Sequence, residues 1–77
     1  MTRNQFLEKV AAFFEMSAVD LADEVNLQAL DRWDSLVILN LIALFDSECG
    51  LSVSFAQIDG CRSVDDLIAL SGGRVSA

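Results

Sequence analysis

Apolar residues recur with helical spacing at the start of the chain. Phe6, Leu7, Val10, Phe13 and Phe14 stand at i, i+1, i+4, i+7 and i+8, while Arg3, Glu8, Lys9 and Glu15 fall off that stripe. Thr2-Arg-Asn-Gln5 has the form of a capping box, so the first helix is expected from Arg3 to Glu15. Between Met16 and Trp33 the pattern breaks up. Asp20, Asp23 and Glu24 alternate there with the single apolar residues Leu21, Val25, Leu27 and Leu30. This predicts a long ordered loop, pinned by those apolar residues, with one helical turn near Val19 to Ala22. Loops of that length are uncommon in compact domains and often functional.

The densest apolar segment comes next. From Leu36 to Phe45 every residue but Asn40 is apolar; Asp34-Ser35 stands in front of it and Gly50 behind. It predicts a second main helix at the centre of the molecule, with Ser35 at its start and Gly50 at a left-handed end. Helical spacing puts Leu36, Leu39, Ile42, Ala43 and Cys49 on one face, expected to be buried, with Phe45 at its edge; Val37, Ile38, Leu41 and Leu44 take other directions. Leu51-Ser-Val53-Ser reads as an extended connector before a short helix over Phe55 to Asp59. Ser63-Val-Asp-Asp66 is a second capping box; the last helix carries Val64, Leu67, Ile68 and Leu70 and ends at Gly72-Gly73. The expected architecture is all-α: three main helices and one short one in a single domain over 1–77, with an ordered core over 3–71 and a frayed tail over 72–77.

Composition narrows the function more than the fold. A net charge of −7 disfavours nucleic acid and anionic lipid, both of which reward Lys and Arg. The longest apolar run is roughly half a membrane span, and Arg3, Asn4, Gln5, Glu8 and Lys9 interrupt any signal-like core at the N-terminus. These features predict a cytoplasmic monomer that meets basic surfaces without inserting into membranes. Cys49 and Cys61 lack metal-ligand spacing, and with no histidine in the chain they read as reduced structural thiols. The usual general base near neutral pH is missing for the same reason, and the carboxylates are scattered. No catalytic residue and no metal ligand is expected.

One group stands apart. The hydroxyl of Ser35, at the start of a helix, would lie beside backbone N–H groups able to favour a phosphate. Its setting resembles the acyl carrier protein family. Trp33-Asp-Ser35-Leu, the helical stretch ending Phe45-Asp-Ser-Glu-Cys-Gly50, the connector Leu51-Ser-Val53, Ile58, and Ser63-Val-Asp-Asp-Leu67 match it in order and spacing over residues 3–71. The last of these stands where members often show Thr-Val-x-Asp-Leu. The resemblance implies that Ser35 carries 4′-phosphopantetheine, transferred from coenzyme A by a phosphopantetheinyl transferase, and that the arm's thiol holds cargo as a thioester. A loading ligase and a downstream transferase or synthase are the further partners it implies. Asp34 and Leu36 are the flanking positions such partners meet.

Two departures bear on recognition. Val37, Ile38 and Asn40 replace acidic residues frequent in fatty-acid carriers. At least one of Val37 and Ile38 is therefore expected on the surface as an apolar partner contact, with Asp31, Asp34 and Asp46 steering. Trp33 before the motif resembles stand-alone or specialised carriers, including aminoacyl and D-alanyl types. The competing reading is a helical interaction module without a prosthetic group.

Overall fold

The computed structural model describes residues 1–23 and 26–75. Expectations that fall on Glu24, Val25, Ser76 and Ala77 lie outside the described residues. Among the described residues five α-helices form the fold: α1 Arg3–Phe14, α2 Ala18–Ala22, α3 Ser35–Leu44, α4 Phe55–Asp59 and α5 Val64–Leu70. The all-α architecture is as expected, with two short helices in place of one, and no strand occurs among the described residues.

Each helix begins where a side chain can accept from its free N–H groups. Thr2 Oγ1 accepts from Gln5 N–H at 3.2 Å, while Gln5 Oε1 accepts from Thr2 N–H at 3.0 Å. Ser54 with Gln57 and Ser63 with Asp66 repeat this reciprocal arrangement at α4 and α5. Ser17 caps α2. α1 stops one residue short of the expected Glu15, which takes a left-handed conformation with φ 54°.

The segment expected as a loop is largely structured. After α2, a 3₁₀ turn over Leu27–Ala29 is held against the connection between α4 and α5. Leu27 N–H donates to Arg62 O at 2.5 Å, and the Gln28 amide donates to Asp59 O at 2.7 Å and Cys61 O at 2.9 Å. Leu21 and Leu27 are fully buried, so the segment is pinned by apolar residues as expected.

The core is a single cluster. Phe6 and Val10 from α1 join Leu41 and Phe45 from the central helix, together with Ile58 and Leu67 from α4 and α5. The Phe6 and Phe45 rings lie 5.8 Å apart at 56°, a tilted pair. α3 passes at Phe45 into a π-helical segment, Phe45–Cys49, that ends at Gly50 in the left-handed region, φ 64°. Wider π winding rotates the residues beyond Leu44 away from strict α spacing. Cys49 is nevertheless buried, as expected for it.

The last described residues pack back against α5. Val75 is buried, and its N–H donates to Ser71 Oγ at 3.2 Å. Ser71, fully buried, donates in turn to Ile68 O at 2.6 Å. The hydroxyl thus joins the last turn of α5 to the residue that seals it.

Candidate functional site at the start of the central helix

Asp34 is the N-cap of α3, in extended conformation, and Ser35 is its first helical residue. Asp34 Oδ1 accepts from Val37 N–H at 3.0 Å, and Asp34 O accepts from Ile38 N–H at 3.1 Å. Ser35 is exposed. Among the described residues no protein group bonds its hydroxyl, and the N–H groups of Ser35 and Leu36 are likewise without protein partners. The cap is therefore the aspartate, and the serine beside it is free.

No other serine in a helix start has that freedom among the described residues. Ser17, Ser54 and Ser63 use their hydroxyls as caps, and Ser47 and Ser71 bond backbone carbonyls. Ser52 is exposed and unbonded, but it lies in the connector before α4, away from any helix terminus.

The apolar residues around Ser35 are distributed differently from the expectation. Val37 and Ile38 are 4% and 2% exposed and belong to the core, so neither can serve as the exposed partner contact expected of them. Leu36 and Leu39, which spacing alone assigns to the buried face, are 64% and 56% exposed. The helix is turned over relative to that assignment. Its inward face is Val37, Ile38, Leu41, Leu44 and Phe45, and its outward face is Leu36, Leu39 and Ala43. Asp34 and Leu36 stand on the surface beside Ser35.

The approach to the site is tied to α1. The Trp33 indole stacks on Phe14, with ring centroids 6.3 Å apart and planes 11° from parallel. Arg32 pairs with Glu15. These contacts are invisible in the spacing, because Trp33 stands alone in a stretch without periodicity.

The remaining features hold structure rather than chemistry. A groove of about 620 Å³ runs between α1 and the end of the central helix, lined by Ala12, Phe13, Asn40 and Ala43 and bridged by Lys9–Glu48 at 3.3 Å; Ser35 does not line it. Both cysteines are free and buried. Burial, and then the nearby Asp66 charge, pushes the Cys61 thiol above its ordinary pKa, and its S–H points to Gln57 O at 3.4 Å. A raised thiol pKa lowers the thiolate fraction, and with it the reactivity.

Ser35 thus offers an exposed hydroxyl without a protein partner at a helix start of an all-α bundle. The family described as phosphopantetheine attachment site matches this chain over residues 4–71, and the chain belongs to it. No curated protein and no solved structure gives a significant match. Members are carriers, not catalysts, and bear 4′-phosphopantetheine covalently. The residues at the start of α3 fit such a group. A phosphodiester there would meet two unengaged N–H groups and the positive end of the helix, worth roughly 0.3–1 kcal/mol. The arm supplies the thiol chemistry; the chain supplies its anchor and its recognition surface.

Proposed function

We infer that Ser35 is the attachment residue and that the protein is an acyl or aminoacyl carrier, holding cargo as a thioester on the arm and presenting it to partner enzymes. The observation that carries this reading is the free, exposed hydroxyl at the first residue of α3, inside Asp34-Ser35-Leu36 and within the matched region. Trp33 before the motif favours a stand-alone or specialised carrier over one for housekeeping fatty-acid synthesis.

Partners approaching Ser35 meet Leu36 and Leu39 beside it. An apolar contact of this kind is worth roughly 1.5–3 kcal/mol when buried, against about 0–1 kcal/mol for an exposed ion pair. Recognition by a phosphopantetheinyl transferase, a loading ligase and a downstream transferase or synthase is accordingly apolar at its centre. Exposed Asp31, Asp34 and Asp46 contribute to the rate of encounter, and raised salt slows association moderately.

Intact mass after incubation with coenzyme A and a broad-specificity transferase tests the attachment. One added arm, absent in Ser35→Ala, is expected. An arm on Ser52, Ser54 or Ser63, or none where a control carrier is loaded, overturns the reading.

A further inference from the structure

Ser35 is preceded by a segment fastened to the end of α1 by two separate contacts. Trp33 stacks on Phe14, and Arg32 pairs with Glu15. Within the segment, Trp33 N–H donates to Leu30 O at 3.0 Å. On the α1 side, Phe14 is a core residue at 5% exposure, so the indole rests on a surface that cannot move independently. Glu15, the other anchor, is held in the left-handed region, where a non-glycine residue is uncommon and its conformation must be imposed by the surroundings. Its N–H donates back to the carbonyls of Ala11 and Ala12. The Phe14 ring and the Glu15 backbone are fixed in place, and between them these two residues engage the two immediately before Asp34.

The turn beyond those residues is held in the core by Val37 and Ile38 but has few polar bonds. The first turn of α3 has one side-chain cap bond, from Val37 N–H to Asp34 Oδ1, and no reciprocal bond back to the Asp34 N–H. The segment entering α3 is held on its outer side by the stack and the ion pair.

We propose that Trp33 is a positioning residue for attachment of the arm: stacked on Phe14, it holds Arg32–Asp34 so that Asp34 caps α3 and Ser35 is presented in one orientation. This rests on the reading of Ser35 as the attachment residue. Without the stack, Asp34 is in capping position for only a fraction of the time. The transferase then sees a smaller concentration of competent carrier. Its apparent KM rises as the inverse of that fraction, while kcat, which describes carrier already bound, is unchanged.

The test is the kinetics of arm transfer to the full chain from coenzyme A, followed by intact mass, with helical content and melting recorded for each variant. Trp33→Ala should raise KM roughly two- to tenfold, the range of an aromatic pair, with kcat within about twofold. Trp33→Phe keeps a ring on Phe14 and should return KM to within about twofold of the parent. Phe14→Leu, which retains most of the core volume but removes the stacking partner, should raise KM as Trp33→Ala does. It should also increase acrylamide quenching of Trp33, the single tryptophan, so it carries the test if Trp33→Ala does not fold. Parental KM in folded Trp33→Ala or in Phe14→Leu overturns the proposal, while normal loading of the parent leaves the attachment reading intact. A defect confined to kcat likewise overturns the proposal. A Trp33→Phe variant as poor as Trp33→Ala also overturns it, since the indole would then be a direct contact. A parent protein that takes no arm overturns both readings.

Discussion

The starts of α5 and α3 solve the same problem in opposite ways. At α5, Ser63 Oγ accepts from Asp66 N–H at 3.1 Å, and the Asp66 carboxylate accepts from Ser63 N–H at 3.3 Å and Arg62 N–H at 3.0 Å. Donors and acceptors close on one another, and the site offers nothing outward. At α3 the cap is a carboxylate one residue earlier, position N3 is the buried Val37 and returns no bond, and the serine is displaced to the first helical position. Its hydroxyl and two N–H groups stay available. The closed helix start uses its donors and acceptors locally; the open one leaves a hydroxyl and two N–H groups without protein partners.

The same substitution at the two serines separates these roles most widely. Ser35→Ala should abolish arm loading and change stability by no more than about 0.5 kcal/mol, since nothing in the protein bonds that hydroxyl. Ser63→Ala should lower stability by about 0.5–2 kcal/mol, measured by denaturant unfolding, and leave loading of the folded protein unchanged. Loss of loading in Ser63→Ala at a temperature where it is folded would dissolve the contrast.

The next largest effect belongs to the surface beside the open start. Leu36→Asp should reduce kcat/KM for loading by roughly 10- to 100-fold, the equivalent of one buried apolar contact, without measurable unfolding. By contrast, Ile38→Asp should unfold the domain, because it would place a charge in the core. Should Leu36→Asp load normally while reversal of Asp31, Asp34 and Asp46 stops loading, recognition is electrostatic instead.

Asp34→Ala sits between the two regions in character. It should cost about 1 kcal/mol as a lost cap and lower loading several-fold through fraying of the first turn, and Asp34→Ser should recover most of the stability. The smallest effect concerns pH at the closed start. Backbone N–H bonds from Arg62 and Ser63 hold the Asp66 carboxyl below the usual carboxylate range. A group whose pKa is lower in the folded state stabilises above its unfolded pKa, about 3.9, and that contribution disappears as pH falls through the folded value. The melting temperature of Asp66→Asn should therefore lie below the parent's at pH 7, with the gap closing below about pH 4. A gap independent of pH would assign the effect to shape rather than charge.

How much of this is readable in the residues depends on local chemistry. The starts of α1, α4 and α5 each carry a polar pair three residues apart whose bonds are made within the same turn, so Thr2, Ser54 and Ser63 can be placed by spacing alone. Gly50 is readable for the same reason, a left-handed end being a local conformation. The orientation of α3 is not readable from its apolar residues, because they cover every direction. Its polar positions carry the signal: Ser35, Asp46 and Ser47 stand outside and Asn40 partly so, and the helix turns them to solvent together with Leu36 and Leu39. Weighing the sparse polar residues above the abundant apolar ones finds the inward face. The π-helical segment and the Trp33–Phe14 stack depend on packing between distant residues and leave no local pattern.

The attachment of the Leu27–Ala29 turn to the connection between α4 and α5, distant in sequence, has a kinetic consequence. Leu27 bonds Arg62 and Gln28 bonds Cys61, joining residues 35 and 33 positions apart, whereas the capped helices need only neighbours. Contacts of such separation require most of the chain to be ordered before closing them repays the lost freedom of the intervening loop. The helices should form early in folding and this strap late, so a weakened strap, as in Gln28→Ala, should show itself in a faster unfolding rate with the folding rate nearly untouched.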